Sequence, residues 1–202
     1  LNYALKNDID ASLTSSWNTG QGFIPIGVAW GTSFSGDFTG LGHIVSDLYI
    51  NQPGIENMAL FGFIQNSTIQ SIALENVNIV GGSSDTAALV GYADGLSSIQ
   101  NSYSTGQVKG NNGVGGLVGS SYGSSDVIVD SYSDVQVSGD ASVGGLIGST
   151  MSGSIKNSYF TGSVTGLGDS LEADGFSGSV GGIIGSLSYG NLENTYSLGN
   201  VS

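Results

Sequence analysis

Apolar residues recur along this chain in short clusters, each closed by a glycine. Leu117-Val118-Gly119 returns as Leu146-Ile147-Gly148 and Ile183-Ile184-Gly185, and stands upstream as Leu89-Val90-Gly91 and Leu60-Phe61-Gly62. The closing glycines are 29, 28, 29 and 37 residues apart. A second landmark follows in register: Ile99-Gln100-Asn101-Ser102-Tyr103, Val129-Asp130-Ser131-Tyr132, Ile155-Lys156-Asn157-Ser158-Tyr159 and Leu192-Glu193-Asn194-Thr195-Tyr196. A third is the alternating strand of Val77-Asn78-Ile79, Gly106-Gln107-Val108, Val135-Gln136-Val137, Gly162-Ser163-Val164 and Gly199-Asn200-Val201. Each unit therefore holds about three short β segments divided by Gly, Ser, Asn and Asp, and no window shows a helical period.

A repeat of this length cannot bury its apolar face alone, but stacked copies make a continuous core. Propeller blades need about 40 residues and four strands, so the shorter period favours a solenoid. The expectation is an all-β, right-handed parallel β-helix (β-solenoid) of about six three-stranded coils, the hand following the usual crossover rule. Residues 1–22 are expected as a lead-in or cap, and 23–202 as the β-helix, divided near 23–53, 54–82, 83–110, 111–139, 140–166 and 167–202. In this frame Pro25-Ile26-Gly27 takes the slot of Leu60-Phe61-Gly62, and Ile44 through Ile50 that of Ile69 through Leu74. At a strand spacing of roughly 4.8 Å the six coils would stack to about 30 Å.

Strand alternation sorts the side chains. The positions of Ser102 and Ser104, filled elsewhere by Ile72 and Leu74 or by Ser158 and Phe160, are expected to face inward. The residue between them then faces out, which sets Tyr49, Tyr103, Tyr132, Tyr159 and Tyr196 in one outward column. Stacked tyrosines stabilise neighbouring coils by roughly 0.2–1 kcal/mol a pair, and the same column could serve as an aromatic platform for sugar rings. Asn101, Asp130, Asn157 and Asn194 precede these strands, where stacked amides satisfy turn backbone and one another. The pairs Gly115-Gly116, Gly144-Gly145 and Gly181-Gly182 are expected at turns that need positive φ or close backbone approach.

Composition narrows the partners. Among 202 residues there are 3 cationic side chains, all Lys, against 16 acids, a net charge of −13. Such a surface suits neither nucleic acid nor anionic membrane. No apolar run approaches the length of a membrane helix, so membrane insertion is not expected. Cysteine is absent, which removes disulfides and thiolate metal sites. The 35 glycines come with 39% hydrophobic residues, too apolar a mixture for a disordered linker. Leu1-Asn2-Tyr3 carries no start Met or signal segment and the repeat is cut mid-pattern at Ser202, so the sequence reads as a piece of a longer secreted polypeptide. Open solenoid ends invite end-to-end self-association.

These strings resemble a known family. Gly115-Gly116-Leu117-Val118-Gly119, with Asn101-Ser102-Tyr103-Ser104-Thr105-Gly106 and Asn157-Ser158-Tyr159-Phe160-Thr161-Gly162, is similar to the GLUG repeat. The opening Tyr3-Ala4-Leu5-Lys6-Asn7-Asp8-Ile9-Asp10, Trp17-Asn18 and Phe34 through His43 resembles the segment that precedes such repeats in filamentous-haemagglutinin-like adhesins. The resemblance implies a bacterial surface or secreted β-helix that projects from the cell and binds a cell-surface glycan or protein receptor. A passive stalk for a domain elsewhere in the chain is the alternative, and a polysaccharide-active enzyme a more distant one. No catalytic residues come with the resemblance, and none are expected.

The residues themselves support little chemistry. The connection over 167–179 carries extra residues with Asp169, Glu172 and Asp174, either a Ca²⁺ loop or a solvated acidic loop; no other cofactor is expected. It lacks the bidentate Glu that closes an EF-hand. Asp130 and Asp134 lie too far apart along one strand for a glycosidase pair. His43, in Gly-Leu-Gly-His-Ile, reads as a turn residue, and the Thr105, Asp134, Thr161, Leu198 column is too broken for ice binding.

Overall fold

The computed structural model describes residues 2–123, 126–168 and 178–202. Its strands are mostly two to five residues long, too short to be stable singly, and gain stability by pairing in parallel with the same strand of the next turn. The apolar landmarks become columns. Phe38, Ile69, Ile99, Ile128, Ile155 and Leu192 stack in register as one file. Phe61, Val90, Val118, Ile147 and Ile184 form a second. Ile50, Ile79, Val108, Val137, Val164 and Val201 form a third. These files point into one continuous core, in which Ile69, Ile99 and Ile128 are fully buried. Each buried side chain of this size contributes about 1.5–3 kcal/mol relative to exposure. The chain is thus a parallel β-solenoid.

Two features of the expected coil are corrected. The four-stranded sheet formed by Ser84–Ala87, Asn112–Gly115, Ala141–Gly144 and Val180–Gly181 marks about four fully regular turns, where six were expected. Among the described residues, the upstream turns enter that sheet through a single bridge from Met58 to Thr86. A regular turn also carries four strands rather than three, as in Asn112–Gly115, Val118–Tyr122, Asp126–Val129 and Tyr132–Gly139. The extra strand escaped the sequence pattern because it is two to four residues long and in three turns ends on the first glycine of a corner pair.

The inward serines are held by paired bonds. Ser102, Ser131 and Ser158 are buried, and each hydroxyl donates to the carbonyl two residues back, at 2.7, 2.8 and 2.6 Å. Each also accepts an amide from the turn before: Ile72 N–H to Ser102, Ser102 N–H to Ser131, and Ser131 N–H to Ser158. A buried hydroxyl is tolerated only when bonded this way. The glycine pairs lie at corners without positive φ, so close approach alone requires them. At Gly116 a Cβ would strike Ser133 Oγ and Gly145 O; at Gly145 it would strike the Phe160 ring.

The lead-in belongs to the stack. Asn2–Ala4 pairs with Asp37–Thr39 and Ile9–Asp10 with Ile44–Ser46, followed by a broken 3-10 segment over Ser12–Gly20. His43 Nδ1 lies 2.9 Å from Asp8 Oδ1, which also accepts the Ile44 amide at 3.0 Å. That amide, and then the imidazole, hold the Asp8 carboxyl below its usual range. His43 therefore ties the first partial turn to the next.

Candidate functional site

The tyrosine column exists for four of its five expected members. Tyr103, Tyr132, Tyr159 and Tyr196 are register partners on successive turns. Their rings stack at centroid distances of 4.8, 4.8 and 5.2 Å with interplanar angles of 5°, 2° and 4°. That spacing is the strand spacing itself, so the ladder follows from having Tyr at one register position. Above it the position is filled by Ala73.

Tyr49 is not in the ladder. Its register partner is Asn78, which aligns with Gln107, Gln136, Ser163 and Asn200 on a polar outward file. The slot assigned to it belongs to Ile44, which pairs with Ala73, while Val45 pairs with Leu74. Tyr49 instead borders a polar hollow of about 430 Å³ beside Ser12, Ser15 and Gln107.

Stacking limits what the ladder can offer. A sugar ring packs on an aromatic face, and here the inner faces cover one another, leaving ring edges and hydroxyls toward solvent. The faces left over are at the ends. Tyr196 is half exposed, and Tyr103 borders a hollow of about 410 Å³ beside Leu41 and Ala73. The Tyr103 hydroxyl donates to Glu75 Oε1 at 2.6 Å. That bond, helped by burial, pushes the Tyr103 phenol up to about 12, and burial with the neighbouring Tyr159 raises Tyr132 as well.

A phenol whose folded pKa is raised contributes stability that is fully present below its unfolded value, near 10, and is lost as pH rises through about 12. An alkaline titration followed by phenolate absorbance is expected to show Tyr103 ionising last. In Glu75→Gln its ionisation moves down toward the ordinary tyrosine range; an unmoved titration would mean that the carboxylate does not hold the phenol.

The amide column is also present. Asn157 Nδ2 donates to Asp130 Oδ1 at 2.9 Å, and Asn194 Nδ2 donates to Asn157 Oδ1 at 3.0 Å. Asn101, Asp130, Asn157 and Asn194 all adopt positive φ between 47° and 51°. Asn and Asp accept that conformation most readily after Gly, which is why they recur at this corner. Asp169, Glu172 and Asp174 lie outside the described residues.

A groove near the first turns was not anticipated. Trp30, Ile55, Asn57, Asp85 and Tyr92 line a hollow of about 680 Å³. Its only sequence signal is extra length. Ile26 bridges Phe61 and Phe34 bridges Ile64, so the chain takes a longer path from Ile26 to Phe34 than the next turn takes from Phe61 to Ile64. The additional residues make the loop that carries Trp30.

Residues 139–165 match the GLUG motif. This GLUG segment covers Gly139 through Thr165, the turn that carries Asn157 and Tyr159 of the two ladders. Halomucin of Haloquadratum walsbyi is 40% identical over 124 residues, 59% of this chain, and the match spans 1% of that protein's own length. Among solved structures, a Bacteroides ovatus protein described as a "putative immunoglobulin A1 protease" superposes with a TM-score of 0.78 at 21% identity. That superposition covers 100% of this chain and 61% of the other, and shows a shared fold. The GLUG match and the halomucin relative fit the repeat region of a surface protein.

Proposed function

We propose that this chain is a projecting segment of a secreted or cell-surface protein, building length and a fixed outer face from stacked GLUG-type turns. The observation that carries the reading is the register of the apolar files across successive parallel turns, with Tyr, Asn and Ser ladders locking each turn to the next. The titratable contacts described above, Asp8 with His43 and Glu75 with Tyr103, also join one turn to another. An acidic surface with few cations keeps such a rod soluble and apart from anionic polymers. Turnover is no part of this reading, and the protease description belongs to the Bacteroides protein.

In its finer form the segment is part of an adhesin of filamentous-haemagglutinin type that meets a glycan or protein receptor. The similarity of residues 3–43 to that class supports it, as does the exposed Trp30 beside the groove. Antibody raised against this chain is expected to label intact, unpermeabilised producing cells or their medium, with surface label lost to external protease. Signal that appears only after lysis would overturn the extracellular placement.

A further inference from the structure

The groove described above has two walls and a floor, each fixed by a different turn. One wall is the loop bearing Trp30, which is 68% exposed yet held at its base by Phe63, with ring centroids 5.5 Å apart. Phe63 in turn meets Tyr92 edge-on at 5.1 Å and 84°. Phe63 is buried, so the exposed indole stands on a rigid aromatic support rather than on a free loop. The other wall is the segment around Gly54, Ile55 and Glu56, with Ile55 and Glu56 exposed. Asn57 Nδ2 donates to Val28 O at 3.1 Å and ties the two walls together.

Asp85 lies at the floor and is half buried. It has φ 58°, the same conformation as Asn57 one turn earlier. The equivalent position one turn on is Gly113, whose Cβ would stand 2.8 Å from Asp85 Oδ1. A residue with no side chain therefore leaves the space that the carboxylate occupies. Burial pushes the Asp85 carboxyl up, the Ser120 and Ser84 hydroxyls draw it back, and the charge of Glu56 adds to the rise.

Acceptor oxygens from Asp85, Glu56 and Asn57 line the groove beside the hydroxyls of Ser83 and Tyr92, which can donate or accept. Asp85 and Glu56 present carboxyl oxygens, and Asn57 spends an amide proton on Val28, leaving its carbonyl oxygen free of that bond. An acceptor-rich floor beside an open indole face fits a ligand with many O–H donors and one apolar face. Two carboxylates in a chain of net charge −13 exclude an anionic ligand. The hollow of about 680 Å³ has the size of a small-ligand pocket. A quaternary ammonium would satisfy the charge and would also lie on the Trp30 face, but it carries no N–H donor for the oxygens of Asp85, Glu56 and Asn57, which a ring of hydroxyls supplies.

We propose that this groove is a binding site for a neutral sugar, with the pyranose C–H face on Trp30 and its hydroxyls donating to Asp85 and Glu56. The site is separate from the tyrosine ladder, and it draws on the extracellular reading only for where such a sugar would be met.

The test uses the 202-residue chain and its intrinsic fluorescence. Trp17 is the other indole, so Trp17→Phe isolates Trp30. The probes are neutral glucose-, galactose-, mannose- and N-acetylglucosamine-terminated oligosaccharides, a sialylated oligosaccharide, and choline. Saturable change in Trp30 emission is expected with at least one neutral probe, at dissociation constants of about 1 mM or below. Trp30→Ala should abolish binding in a calorimetric assay, and Asp85→Asn should weaken it about tenfold or more. Both variants should keep the parent circular dichroism and melting temperature, because the indole is exposed and Asn adopts this backbone conformation at Asn57. Binding of choline alone, sialylated preference, silence from every neutral probe, or binding retained by a folded Trp30→Ala would each overturn the assignment. Cell-surface labelling is read separately, so failure of the sugar site and failure of the extracellular reading give different results.

Discussion

Gly148→Val is expected to destabilise the solenoid by about 3 kcal/mol or more, at or beyond the usual cost of overpacking a core. Gly148 closes a regular corner, and its Cα faces the backbone of the previous turn. A Cβ there would strike Val114 N and Gly113 C, and would stand 2.7 Å from Gly119 O. These are main-chain atoms held by parallel pairing on both sides, so they cannot swing away as a side-chain terminus could. The corner must open, and with it the pairing of Asn112–Gly115 with Ala141–Gly144. Urea unfolding measures the loss against Asp134→Ala, at an exposed position. That control is expected to change stability by less than about 0.5 kcal/mol. Equal midpoints for the two variants would show that the turns are spaced more loosely than the register implies.

Phe160→Ala is expected to cost about 3–5 kcal/mol. The ring is fully buried in a file where its register partners are Ser133 and Ser197, so it fills space that neighbouring turns leave open. Gly145 and Gly199 pack against it, and at Gly199 a Cβ would come 2.6 Å from Phe160 Cε1. Glycine and serine have no side chain that can expand into the void, and a cavity that cannot collapse carries the full penalty. Because stability in a repeat stack is a sum over turns and their interfaces, the loss should fall on residues after 141 first. Hydrogen exchange would show amides there opening ahead of those in the 61–109 region. Uniform exposure along the chain would mean that the stack unfolds as one unit.

Most of the regular stack could be read from the chain. Ser102 and Ser104 inward with Tyr103 outward follow from alternation, and the structure buries the serines and stacks the tyrosine. The amide ladder followed from Asn and Asp recurring at one place, since few other residues accept that backbone conformation. The first turns depart from the repeat frame, and the cause is local. Positive φ at Asp47 and Asn76 bends each strand and resets its alternation, so the segments on either side of the bend look alike. Tyr49 lies beyond that bend, in register with Asn78, whereas the Tyr slot lies before it at Ile44. The groove stayed hidden for another reason. A loop that departs from a repeat has no partner in the pattern, so the extra length around Trp30 carries no signal of the wall it forms.

The bonds that join successive turns run from strand to parallel strand, so they lie along the axis of the stack. Tension applied at the two ends therefore loads the turns in series, and the weakest interface yields while the rest stay folded. Each regular turn that peels away, roughly 29 residues, releases about 100 Å of extended chain. A stack built this way lengthens in steps and dissipates work at each one, so a sudden pull is absorbed turn by turn.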